Sequence, residues 1–205
     1  MKNIISLLLM LLPLFGSAQV LNAEALLDKV ISTMKTDLPL QMEYSYVVYD
    51  GDEEIDRDKG VMKLEGCRYS LLMNKMAVWC NGETQWSYMH EVNEIYISDA
   101  SSDEAQNLSP LFIMENYRNE CAKKAELQNG DLVITLQAMS DSDVEKVVLF
   151  IDANRNRLKS LDVLISGQGN LKIVLDKYQV KCNFASNVYE CPVKDYSTAE
   201  IIDMR

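Results

Sequence analysis

The chain has little of what most catalysis draws on. Its 205 residues contain one histidine, His90, placed between the apolar "WSYM" and a turn. Such a position marks a turn or surface residue, with no nucleophile or second histidine nearby in sequence. H-E-x-x-H, G-x-S-x-G, Walker and glycine-rich phosphate patterns are all missing, so no residue is nominated as catalytic. The paired acids Glu53/Glu54 and Asp141/Asp143 read as solvated surface, and no cofactor or metal site is expected. There is no C-x-x-C among the five cysteines, which argues against a thioredoxin-type redox site and a zinc knuckle. Basic residues are scarce too: 20 Lys and Arg face 31 Asp and Glu, for a net charge of −11. That sign disfavours nucleic acid and anionic membrane surfaces as partners. Repeats of fixed period, low-complexity tracts and a helix-rich second domain are absent as well.

Long apolar runs are limited to the N-terminus. Lys2, the run "IISLLLMLLPLF" and the small residues Gly16-Ser17-Ala18 have the layout of a secretory signal peptide, residues 1–18. The run is too short to span a bilayer comfortably, so an exported, soluble protein starting near Gln19 is expected. No cysteine lies at that boundary to take a lipid anchor. Residues 19–205 are enough for one domain with a real core. In an oxidising compartment, the spacing of "CNFASNVYEC" predicts a hairpin centred on Ser186-Asn187 that bridges Cys182 and Cys191. Cys67 and Cys80 would face each other if a turn centred on Met73-Asn74; a turn at Asn74-Lys75 would misalign them.

What is present is one clear helix and many strands. Ala23, Leu26, Leu27, Val30, Ile31 and Met34 recur at helical spacing behind Asn22, a suitable N-cap. Leu40, Met42, Tyr44, Tyr46 and Val48 alternate with polar residues, the period of a half-buried strand. The acidic tract "DGDEEIDRDK" reads as a loop. Strand-like runs with short connections then follow, implying antiparallel neighbours. In "LSPLFIMENY", Ser109 can cap a helix that Pro110 opens, and Leu111, Phe112, Ile113 and Met114 make it apolar around most of its girth. Strands resume after Cys121, around the turn Asn129-Gly130, and a further hairpin and the tail "TAEIIDMR" complete the chain. Both tryptophans of the protein, Trp79 and Trp86, flank Asn81-Gly82, a strong hairpin signal.

The order of these segments resembles the periplasmic outer-membrane lipoprotein carrier family, the LolA-like proteins. The matching features are Arg68-Tyr69, Asn81-Gly82 followed by Trp86 and Tyr88, Ser109-Pro110, and the ending Asp203-Met204-Arg205. The resemblance implies an incomplete antiparallel β-barrel, mainly β, closed by two or more helices. It implies a periplasmic carrier that holds the acyl chains of lipoproteins in an apolar cavity between the inner and outer membranes. The side chains expected to meet lipid are Met42, Tyr44, Tyr46, Tyr69, Trp86, Tyr88, Leu111, Ile113 and Met114. Trp, Tyr and Met supply broad, adaptable apolar surface of the kind that variable chains require. Lipoprotein acyl chains or other lipids, a releasing machinery at the inner membrane and an acceptor at the outer membrane would be its partners, and the protein would act as a monomer. One departure stands out: the best-known carriers hold the lid shut with an arginine from an early strand, and Leu40 to Tyr49 contains no basic residue. A second branch sharing this fold, regulators of envelope-stress signalling, would use the same cup for a lipid or protein partner, and has an additional domain for which this chain is too short.

Overall fold

The computed structural model describes residues 21–101, 110–139, 144–167 and 169–205. The signal-peptide segment and Ser109 lie outside these residues. Helix α1 (Ala23–Asp37) begins where the Asn22 side chain accepts a hydrogen bond from the Ala25 amide at 3.0 Å. It ends at Leu38, whose ψ of 149° is the extended value favoured before a proline. Its Leu27, Val30, Ile31 and Met34 are buried, as their spacing predicts.

Twelve strands follow in one sheet: β1 (Leu40–Asp50), β2 (Glu53–Glu65), β3 (Arg68–Met73), β4 (Met76–Cys80), β5 (Thr84–Met89), β6 (Glu94–Asp99), β7 (Cys121–Gln128), β8 (Asp131–Ala138), β9 (Val144–Asp152), β10 (Arg157–Ile165), β11 (Gly169–Gln179) and β12 (Glu200–Asp203). Helix α2 (Pro110–Glu120) lies between β6 and β7. The strand order is β12-β6-β5-β4-β3-β2-β1-β11-β10-β9-β8-β7, antiparallel except where β12 runs parallel to β6. Its two ends, β12 and β7, do not pair, so the sheet is unclosed. It is strongly curved, because buried side chains from β1, β3, β8, β9 and β10 meet α1 and α2 in one core. An incomplete barrel with two helices is thus the architecture of the described residues.

Three readings of the sequence need correcting. The acidic tract is not a loop beyond the two-residue turn Gly51-Asp52; Glu53 onward is strand β2, paired along β1. Its charges are tolerated in a strand because they are matched locally. Asp56 takes the Lys75 ammonium and the Tyr46 hydroxyl, and Glu54 takes Arg57. Asp58 accepts from the Asn74 amide group and from the backbone amides of Lys59 and Lys75.

The segment from Cys182 to Cys191 is not a hairpin either. It runs back across the molecule, with the Cys182 amide donating to Pro39 O at 2.8 Å, and makes a 3-10 turn at Ser186–Tyr189. Phe184 and Tyr189 lie beneath Lys63 and Arg68, cations over aromatic rings at 5.6 and 5.0 Å. With that route taken, Cys182 and Cys191 are free thiols and the expected bridge is not formed.

The third correction concerns Asn81-Gly82. The turn centres one residue later, on Gly82-Glu83, with Gly82 at φ +96° in the first central position that a type II′ turn reserves for glycine. The Asn81 side chain accepts from the amides of Glu83 and Thr84 instead of adopting positive φ itself. Asn129 and Gly130 do both take positive φ, 52° and 89°, between Gln128 and Asp131, as a type I′ turn demands. The β3–β4 turn falls at Asn74-Lys75, so Tyr69 and not Cys67 lies opposite Cys80.

Candidate apolar cavity

Alternation along the strands builds the site. Met42, Tyr44, Tyr46 and Val48 of β1 point to the concave face, as do Leu71 and Met73 of β3, Val147 and Leu149 of β9, Leu161 and Val163 of β10, and Leu171, Ile173 and Leu175 of β11. Met62, Met76 and Leu158 complete the wall, and α2 lays Pro110, Ile113 and Met114 across it, one stripe at i, i+3 and i+4. These side chains enclose a cavity of about 420 Å³. Among the described residues, the only polar side-chain atoms in its lining are two phenol oxygens, and five of the lining residues are methionines, side chains that reshape at little cost.

Neither phenol brings charge into the cavity. The Tyr46 hydroxyl donates to Asp56 Oδ2 at 3.2 Å, and burial, then the neighbouring Asp56, pushes the phenol up to about 12. Tyr44 is raised further, by burial first and by the Asp58 carboxylate second. Both are neutral at any physiological pH. The cavity therefore offers dispersion and apolar contact, with no ionised group among its described lining residues.

Of the nine side chains singled out from sequence, Met42, Tyr44, Tyr46, Ile113 and Met114 line this cavity. Leu111 is buried in the core instead, off the stripe that Ile113 and Met114 share. Tyr69 lies on the concave side but is committed to the core, its hydroxyl donating to Gln85 Oε1 at 2.6 Å. Trp86 and Tyr88 are on the other face of the sheet. The register sets Trp79 opposite Trp86 and Ala77 opposite Tyr88, while Val78 and Cys80 turn inward with Leu71 and Tyr69. Tyr196, from the 3-10 turn Val193–Tyr196, packs 5.8 Å from the Trp79 ring and 4.3 Å from that of Tyr88. The aromatic hairpin thus anchors the C-terminal segment on the convex face. His90 is exposed in the turn after β5, its ring beside Tyr88.

Sequence reading missed the wall built from β9 to β11. Its signal was there, in the alternation of Leu171, Ile173 and Leu175 with Lys172, Val174 and Asp176, but nothing local says which face is concave. Helix α2 is tied to α1 by Lys35–Glu115 at 2.5 Å and by Arg118, which donates to Asp28 at 2.8 Å. Among the described residues, no group of three or more His, Cys, Asp or Glu side chains could hold a metal ion, and no helix is long and apolar enough to cross a membrane.

No curated protein matches the chain significantly. Among solved structures it is similar to an uncharacterized conserved protein from Thermus thermophilus, at a TM-score of 0.57 and 9% identity over 86% of this chain and 98% of that one. It is also similar to a LolA superfamily protein from Nitrosomonas europaea, at 0.47 and 10% over 84% and 99%. A third likeness is to a chain of the Pseudomonas aeruginosa MucA/MucB complex, at 0.50 and 12% over 85% and 62%. Residues 21–166 match the family model for the outer membrane lipoprotein carrier protein LolA, a stretch that takes in the curved sheet through β10, both helices and most of the cavity wall. The chain belongs to the LolA outer membrane lipoprotein carrier family.

Proposed function

We propose that the protein is an exported carrier that holds lipoprotein acyl chains in the cavity between its sheet and α2 and takes them from the inner to the outer membrane. The observation that carries this reading is a cavity of about 420 Å³ whose lining has no charged side chain. That volume lies within the roughly 300–1,000 Å³ of ordinary ligand sites, yet the few convergent polar groups that orient a small metabolite are lacking. Each methylene taken from water contributes about 0.8 kcal/mol, so roughly ten give about 8 kcal/mol before ordering costs and lost helix contacts are subtracted. That gross figure alone corresponds to about micromolar binding, the subtracted costs weaken it, and each further methylene buried strengthens it about fourfold, a range that allows both carriage and release. The segment 1–18 directs export to the periplasm, and a releasing machinery and an acceptor at the two membranes are its partners.

In this reading α2 is the lid. Its two ion pairs to α1 join partly exposed side chains, and such pairs contribute only about 0–1 kcal/mol each. Entry is instead governed by exchange: an acyl chain replaces the contacts that Ile113 and Met114 make with the wall. No early-strand arginine is needed for that.

Mass spectrometry of the protein purified from its own compartment tests the reading. Extractable acyl chains in near-stoichiometric amount are expected. A bound polypeptide without lipid would contradict it and favour a regulatory or scaffold protein using the same cup, a second reading motivated by the likeness to a chain of the MucA/MucB complex.

A further inference from the structure

One position in the wall is empty. The inward-facing positions of β2 run Leu64, Met62, Gly60 and Asp58, and in register Gly60 lies between Tyr44 of β1 and Met73 of β3. Gly60 is not among the residues with positive φ, so the backbone there is one that any residue adopts. A glycine inside a strand is unfavourable for the chain's entropy, so its presence calls for a spatial reason. That reason is visible: a Cβ at position 60 would lie 2.8 Å from Leu72 O, 2.8 Å from Met73 Cγ and 2.9 Å from Tyr44 Oη. The Tyr44 side chain lies across the glycine, with its hydroxyl over the missing side chain and Met73 closing in from the other strand. Both of these residues line the cavity.

We propose that Gly60 sets the length of acyl chain the cavity accepts, by letting Tyr44 and Met73 lie back against the sheet. The inference rests on the reading of the cavity as an acyl site and deepens it. A side chain at position 60 meets Tyr44 Oη and Met73 Cγ, which swing off the sheet into the cavity and shorten the space, and the Leu72 carbonyl, which yields only by a small shift of β3. On the opposite side the same two residues border a mixed hollow lined by Glu43, Lys59, Val61, Leu72, Asn74 and Asp176. Retreat into it would set Met73 against charged groups, so the apolar cavity is the side that yields.

The test compares decanoic and hexadecanoic acid as displacers of a fluorescent fatty acid from the full chain, its Gly60→Ala and Tyr44→Leu variants, and the double variant. Each methylene that the displaced wall excludes lowers affinity about fourfold. Gly60→Ala is therefore expected to weaken hexadecanoic acid by about tenfold or more, while decanoic acid, which fits the remaining space, stays near its parent value. Tyr44→Leu should favour the longer acid, and the double variant should return toward the parent, since the shorter leucine side chain leaves room for the added methyl group. Equal weakening of both acids, or no change in either, in a folded Gly60→Ala protein would overturn the proposal. If circular dichroism shows that Gly60→Ala does not fold, Tyr44→Leu decides alone, and an unchanged preference overturns it. A parent that binds neither acid removes the acyl reading and this inference together, an outcome distinct from a parent that binds both while Gly60→Ala keeps its preference.

Discussion

An Ile173→Asp protein is expected to lose acyl binding by about a hundredfold or more while remaining folded. Ile173 is a half-buried side chain of the cavity wall, opposite Tyr46 on β1 and Leu161 on β10. An aspartate there keeps partial access to water in the empty protein, so the fold pays only about 1–3 kcal/mol. With an acyl chain seated over it, the carboxylate loses that water and finds no cation among the lining residues. The desolvation penalty is several kcal/mol, and a hundredfold loss needs only about 2.7 of them. The neighbouring residue supplies the control. Val174 is 37% exposed and points to the convex face, so Val174→Asp should bind as the parent does. Titration of each protein with a fluorescent fatty acid, alongside circular-dichroism melts, reads both effects. Equal loss in the two variants would mean that the wall has been assigned to the wrong face.

The largest effect on stability is expected from Leu27→Ala. Leu27 is completely buried, on the face of α1 that joins the common core between α2, β7 and β10. Truncation removes apolar contact and leaves a hole that the sheet, held by its ladders, fills only in part. The cost is about 2–5 kcal/mol, or roughly 5–15 °C in melting temperature for a chain of this size. Lys29, two residues on and exposed, is the comparison: its replacement by alanine should stay within about 0.5 kcal/mol. Urea denaturation gives both values. A Leu27→Ala protein as stable as the parent would show that α1 is not a core element.

Leu27 and Ile173 also mark how far local sequence pattern reaches. Leu27 was legible because a helix declares its buried face by its own spacing, and Asn22 fixed where it starts. The alternation of β1 was equally plain, and so was the Asn129-Gly130 turn, whose chemistry is complete within two residues. A strand's period of two, in contrast, says which side chains share a face but not which face is inside. The chemistry of Trp86 and Tyr88 suits a cavity, yet they lie on the convex face. Trp86 faces Trp79 across the ladder, and the ring beside Tyr88, that of Tyr196, is more than a hundred residues away, as Thr198 is from Asn93, whose side-chain amide its carbonyl takes at 2.8 Å. Ile173 was hidden for the same reason: β11 inserts beside β1 across most of the chain, a pairing that no local pattern announces. The acidic start of β2 looks like a loop in sequence because its partners, Lys75 and Asn74, come from the next turn but one.

The most direct test of an acyl site between β1, β11 and α2 is to mark where a chain lies. A fatty acid carrying a diazirine along its tail would be irradiated with the protein and the labelled peptides mapped. Label is predicted on Met42, Tyr44 or Tyr46, on Leu171 to Leu175, and on Ile113 or Met114, with none on Trp86 or Tyr88. Label confined to the convex face around Trp79 and Tyr196, or none above that of an unfolded control, would contradict the account.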